Sequence, residues 1–140
     1  MTDVQAQPAK IQFINFLVNE SHIVFKEPGE QKVSISFLPS GVIFKELNQF
    51  HLELSVNIQD EADKFHINLK TTSIFEYPEG AGLEAYKNSY FIANAPAIVF
   101  PYLRAYISSL TALSGMPTLN LPTLNLSELG ERLKESITEV

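Results

Sequence analysis

Cysteine is absent from this 140-residue chain, which excludes disulfides, thiol nucleophiles and cysteine-ligated metal but is neutral about compartment. Long apolar runs are lacking as well. None reaches the roughly 20 residues needed to span a bilayer, so no membrane insertion is expected. The first ten residues, Met1 to Lys10, are polar and show no basic region followed by an apolar one. A secretory signal is therefore not expected, and a cytoplasmic protein is. Positive charge is in deficit: 10 Lys and Arg stand against 16 Asp and Glu, for a net charge of −6. Binding a phosphate backbone needs a basic surface, so nucleic acid is a poor candidate partner.

The motifs of catalysis are equally scarce. Pro78-Glu79-Gly80-Ala81-Gly82 has neither a following Lys-Ser/Thr nor the spacing of a dinucleotide loop. No serine sits on the strand-turn-helix elbow that exposes a nucleophile. Asp60, Glu61 and Asp63 lack the glycine and distal glutamate of a calcium loop and read as a solvated hairpin tip. The chain is expected to hold no catalytic residue, no metal and no cofactor.

What the chain does contain is enough apolar sequence for one modest core. Residues 1–9 read as a flexible arm and 10–140 as a single domain. Ile11 to Val18 is too densely apolar for a one-sided strand, so it is expected to carry a bulge near Phe13-Ile14 or to be covered on both faces. His22 to Phe25 reads as a separate extended piece, stopped at Glu27-Pro28-Gly29. Val33, Ile35 and Phe37 alternate inward, and Pro39-Ser40-Gly41 is expected to break that strand.

The clearest local signal is a hairpin. Leu52, Leu54, Val56 and Ile58 alternate with polar residues, as do Phe65, Ile67 and Leu69, with the acidic break Asp60 to Asp63 between them. The register expected from this pattern opposes Gln59 to Lys64, Asn57 to His66 and Glu53 to Lys70. It separates His51 from His66 by six positions, about 20 Å, too far to share an ion. Thr71 to Tyr77 extends the second arm with Phe75 inward, and Leu83 to Ala93 holds a short helix.

The stretch Asn94 to Pro117 organises the rest. As a helix it sets Ile98, Val99, Leu103, Tyr106, Ile107, Leu110 and Leu113 on one broad apolar face. Asn94 is expected to cap its start and Gly115 to lie just past its end. Pro101 lacks an N–H and crowds the preceding turn, so a kink or a late helix start is expected. A direct repeat follows, Pro117-Thr118-Leu119-Asn120-Leu121 and Pro122-Thr123-Leu124-Asn125-Leu126, whose prolines and alternate leucines favour an extended segment laid on an apolar surface. Ser127 is expected to cap a last helix carrying Leu129, Leu133 and Ile137 at steps of four; Gly130 within it costs about 1 kcal/mol, so this helix depends on docking. The apolar face exceeds what one thin sheet covers, and the surplus points to another subunit, a ligand, or both.

The runs Asn94-Ala95-Pro96 to Phe100-Pro101-Tyr102-Leu103-Arg104, Ile107-Ser108-Ser109, and Gly115-Met116-Pro117-Thr118-Leu119-Asn120-Leu121-Pro122 resemble the SecB protein-export chaperone family. Ile74-Phe75, and Ile23-Val24-Phe25 followed by Pro28, are similar to it in order and spacing. The resemblance implies an α+β fold: a four-stranded antiparallel sheet with a long helix packed on one face and a C-terminal helix. It also implies a homo-oligomer, a tetramer built as a dimer of dimers or a dimer. It implies ATP-independent holding of unfolded polypeptides or preproteins in apolar grooves, and delivery to the SecA motor.

By that similarity Phe100, Tyr102, Met116, Leu119, Leu121 and Leu124 are candidate client contacts, each with a competing role in core or subunit interface. The family's SecA-docking patch is acidic, whereas the positions that match it here hold His22, Lys26 and Asn68. Two client routes therefore stand open: export, or dedicated clients such as an antitoxin with no SecA delivery. A small-molecule-binding or structural protein of the same fold is the remaining alternative.

Overall fold

Alternating apolar residues build a sheet in the order β1-β4-β3-β2-β5 in the computed structural model, which describes residues 3–7, 9–28 and 32–140. Met1, Thr2 and Pro8 of the expected arm, and Gly29 of the expected break, lie outside the described residues. The strands are β1 (Gln12–Phe25), β2 (Val33–Phe44), β3 (Gln49–Asp60), β4 (Phe65–Glu76) and a short β5 (Ile137–Glu139). The first four pair antiparallel, and β5 adds a fifth, parallel strand against Gly41, Val42 and Ile43 of β2.

β1 is one continuous strand, so His22 to Phe25 is not a separate piece. The expected bulge is there: the register against β4 shifts between Phe13 and Asn15, and again between Val18 and Glu20. Each extra residue returns the strand to phase, so Phe13, Phe16, Val18 and Ile23 all reach the inner face despite their irregular spacing.

β2 does not break at Pro39-Ser40-Gly41. Pro39 stands opposite Leu54, and its carbonyl accepts from Ser136 Oγ at 3.1 Å on the side away from β3. Its nitrogen points to that same outer edge, so no ladder bond is lost. Gly41 admits β5, because a Cβ there would lie 2.7 Å from the Phe50 ring and 3.1 Å from Ile137.

The β3–β4 register also differs from expectation, by two residues. Gln59 opposes His66, Asn57 opposes Asn68, and Glu53 opposes Thr72 rather than Lys70. Asp60 is the reason. It ends β3 instead of entering the loop, and its Oδ1 accepts from the backbone N–H groups of Lys64 (2.7 Å) and Phe65 (3.2 Å). A shift of two preserves the facing, and Leu52, Leu54, Val56, Ile58, Phe65, Ile67, Leu69 and Phe75 are buried. His51 and His66 now stand eight positions apart along β3, about 27 Å.

Across the inner face lies α2 (Ala95–Leu113), preceded by a short α1 (Leu83–Lys87) and a π-type turn, Tyr90–Asn94. That turn runs straight into α2. Asn94 is therefore helical (φ −75°, ψ −41°) and makes no side-chain cap, contrary to expectation. The helix passes through Pro101 from a start at Ala95, so there is no late start. Its end is as expected: Gly115 takes φ +78°, its N–H donates to Ala112 O, and the Met116 N–H donates to Thr111 O. These two bonds form a Schellman motif. Val99, Phe100, Leu103 and Ile107 are buried against the sheet, whereas Leu113, expected on that face, is 88% exposed.

α3 (Ser127–Glu135) follows the repeat. Leu126 stands at the N-cap position and no side chain caps this helix, contrary to the expectation for Ser127; Asn125 Oδ1 accepts from the Ser127 N–H at 3.0 Å in the turn that leads into it. Ile137, expected at its end, begins β5 instead. Leu133 and Gly130 face inward, and a Cβ on Gly130 would stand 2.6 Å from Ile92 O in the π-type turn.

Candidate functional site

Residues Met116 to Leu126 form a strap over α2, and the side chains of the helix fasten its first half. Thr111 Oγ1 donates to Ile107 O and accepts from the Leu119 N–H, both at 2.9 Å. Ser108 Oγ lies 3.0 Å from Asn120 Oδ1 and 3.3 Å from Leu119 O. Arg104 Nη2 donates to Pro122 O at 3.2 Å, its guanidinium 5.1 Å above the Phe100 ring. The strap covers much of the apolar surface that was expected to exceed one subunit: Met116 and Leu121 are buried in the core with Phe100, and Leu119 is half-buried.

The second copy of the repeat is held differently. Leu124 and Leu126 are half-buried beside an open groove of about 370 Å³. Ile35, Phe37 and Pro39 of β2 form one wall, the strap and Leu129 of α3 the other, and Glu128 and Arg132 stand at the rim. Only Leu124 of the six candidate contacts lines this groove. Leu119 lies further along the strap. Phe100 backs the groove wall, its ring 6.4 Å from Phe37. Tyr102 is on the other flank of α2, 48% exposed, between Phe13 (4.8 Å) and Phe16 (6.1 Å) of β1. Sequence reading missed Ile35, Phe37, Leu126 and Leu129 as groove residues. Their alternation signals an inward face but carries no sign of which strand is an edge.

The outer face of the sheet carries a second hollow, of about 380 Å³. His22 and Asn68 are cross-strand neighbours there, next to Asn57 and Ser36 in the same row. Glu20 and Lys70 line the hollow and pair with each other (3.1 Å); past the end of β1, Glu27 pairs with Lys64 (3.3 Å) and Lys26 with Asp63 (3.4 Å). Glu53 accepts from Ser40 Oγ at 3.1 Å. The three candidate SecA-contact positions thus sit beside a surface of offset charge.

The groups whose titration the fold moves lie outside both hollows: burial lowers His51, burial raises Tyr77, and the Lys87–Glu139 hydrogen bond raises the lysine and lowers the glutamate. Among the described residues no three His, Cys, Asp or Glu are placed to hold a metal ion, and no helix is long and apolar enough to cross a membrane.

A sheet with a long helix strapped across one face and a short C-terminal helix is the SecB-like architecture. A SecB-like chaperone of Mycobacterium tuberculosis, solved in complex with a peptide from the HigA1 antitoxin, shares this fold. The two align with a TM-score of 0.70 over 83% of this chain and 88% of that one, at 17% identity. The chain belongs to the SecB family: the family described as preprotein translocase subunit SecB matches residues 11–135. That family is one of chaperones, not of enzymes. The protein-export protein SecB of Anaplasma phagocytophilum (strain HZ) is 29% identical over 87 residues, 59% of this chain and 55% of that protein. Its counterpart in Anaplasma marginale (strain Florida) is 26% identical over 117 residues, 76% of this chain and 66% of that protein. The chain therefore spans between about half and two thirds of the length of these relatives.

Proposed function

We propose that this chain is an ATP-independent holdase that keeps unfolded polypeptides from aggregating by burying their apolar side chains in the groove between β2, the strap and α3. The observation that carries the reading is that groove: Ile35 and Phe37 of β2 and Leu124 and Leu126 of the strap, half-buried and open beside the buried Leu129 of α3. Burial of client surface at roughly 25 cal/mol per Å² of apolar area supplies the driving force, less the cost of ordering the client. That force is non-directional, so clients are selected for being unfolded and apolar.

Leu124, Leu126, Ile35, Phe37 and Leu129 are the contacts this reading favours, with Leu119 next along the strap. Phe100, Met116 and Leu121 act from the core behind them. Purified protein in excess is expected to slow aggregation of chemically denatured citrate synthase without ATP; unchanged aggregation and unchanged refolding overturn the reading.

The offset charges of the outer face favour a second element of the proposal, that clients are held without docking of basic SecA tails there. Titration of a basic SecA tail peptide is expected to give no binding; micromolar binding lost on substitution of Asn68 would restore the export route. We also propose a homo-oligomer, since Ile14, Leu17, Val24 and Phe25 along β1 and Tyr102 on α2 remain exposed as large apolar side chains. Sedimentation at micromolar concentration should show a dimer or tetramer.

A further inference from the structure

We infer that the groove takes its polypeptide as an added β-strand on the Ile35–Phe37 edge of β2, and that Pro39 fixes where that strand stops. The inference rests on the holdase reading and specifies its geometry.

The backbone of β2 shows which groups are available. The Gly41 N–H donates to Ser136 O at 3.4 Å, Ile43 O accepts from the Val140 N–H at 2.9 Å, and Pro39 O accepts from Ser136 Oγ at 3.1 Å. All three partners lie on the side away from β3. In an antiparallel ladder alternate residues direct both their N–H and their C=O to the same edge. Ile35 and Phe37 are in phase with Pro39, Gly41 and Ile43, so their N–H and C=O groups also point to that outer edge. Among the described residues no partner meets them.

The side chains of Ile35 and Phe37 turn to the inner face and line the groove. Two unpaired backbone residues thus border an apolar trough, and the occupant they fit is an extended chain. Its own N–H and C=O groups would bond to Ile35 and Phe37, while every second side chain drops toward Leu124, Leu126 and Leu129. The protein already seats one such strand on this edge, since β5 pairs with Gly41 to Ile43. Pro39 separates the two stretches. With no N–H to offer, it can neither lengthen the β5 pairing nor extend a client past Phe37. A client segment of about five residues with apolar side chains at alternate positions satisfies both walls.

The test is an N-methyl scan of a peptide labelled at its N-terminal amine, fluorescein-Thr-Leu-Thr-Val-Thr-Leu-Thr-amide, against the intact protein. Strand addition predicts a loss of about tenfold in affinity at every second position and little change between. A flat scan with binding retained overturns the strand geometry while leaving the holdase reading in place. No binding of any peptide, together with no protection of denatured citrate synthase, removes both.

A second arm uses the chain itself. Ile35→Ala and Ile35→Pro lose the same side-chain contacts, but only proline removes the edge N–H, which has no partner within the described fold. Binding by the Ile35→Pro variant, checked by circular dichroism for native structure, should fall about tenfold below that of Ile35→Ala. Equal affinities would refute the inference.

Discussion

Gly130→Ala sets two effects of opposite sign against each other. In a helix interior, alanine is favoured over glycine by about 1 kcal/mol. At this position, however, the new Cβ would stand 2.6 Å from Ile92 O and 3.8 Å from Ile92 Cβ. The obstructing atom is a backbone carbonyl in the π-type turn, whose neighbour Phe91 is fully buried and stacked on Phe50 at 4.2 Å. It cannot swing aside as a side-chain tip would. Relief requires α3 to lift by ~0.5 Å, drawing the fully buried Leu133 away from its packing. Overpacking of this kind costs about 1–3 kcal/mol, so the variant should lose up to about 2 kcal/mol after the propensity gain. In urea that is a midpoint lower by up to ~1 M. Circular dichroism across a urea series measures it, with exposed Glu131→Ala as a control expected to lie within ~0.5 kcal/mol of the parent. Because α3 leads into β5, amide exchange at Val140 should quicken in parallel. A raised midpoint for Gly130→Ala would show that α3 does not approach the turn this closely.

Thr111→Val keeps the shape of the side chain but leaves the Leu119 N–H without its acceptor. A cost of about 1–3 kcal/mol is expected, together with faster amide exchange at Leu119; unaltered exchange there would mean that the strap is held by its leucines alone. His51 packs on the Phe44 ring at 4.4 Å and sits 3.0 Å from Gln49 Oε1, and burial lowers its pKa from 6.5 against the upward pull of Glu53. Below that value the unfolded chain binds the extra proton and the folded chain resists it, so stability should fall between about pH 7 and pH 5. Urea midpoints over this range should show a shallower fall for His51→Gln, and identical slopes would count against the buried ring.

How far the sequence could be read depended on whether local pattern or long-range neighbours decided each feature. The bulge at Ile14 was legible because no single period accommodates the dense apolar run after Ile11. Gly115 was legible because a helix end wants a left-handed residue and glycine takes it freely. The hairpin facing was legible, but its register was not. Asp60 looks like a turn residue, and only the two N–H groups it accepts from make it the last residue of a strand.

Pro39 misled for a similar reason. A proline stops a strand only where its N–H is needed, and edge status depends on residues about a hundred positions away. Asn94 carries the chemistry of a cap, yet the π-type turn before it continues into the helix and leaves no free first turn to cap. At the groove, Leu124 was found from the repeat. The β2 and α3 walls were hidden, because an inward-facing residue beside an open edge has the same sequence signature as one in a closed core.

Where the apolar surplus finally resides bears on how such a fold could handle unfolded chains without pairing to itself. The strap and the sheet cover the inner face of α2, so the exposed large side chains of the sheet lie mainly along β1, with Leu38 on the outer face of β2. The two sides of the sheet are guarded differently. β1 offers a strand of 14 residues, but the two register shifts interrupt any regular ladder that a stray chain could build along it. On the opposite side β5 occupies Gly41 to Ile43, and Pro39 ends the pairing beyond it, leaving the short stretch from Val33 to Phe37, of which Ile35 and Phe37 border the groove. A long regular edge would template aggregation, whereas a short one flanked by leucines rewards an incoming segment only when its side chains are also buried. On this argument the proline that looks like a strand breaker in the sequence limits how much of any polypeptide the protein can pair with. Under the holdase proposal, this keeps binding weak and reversible at each site.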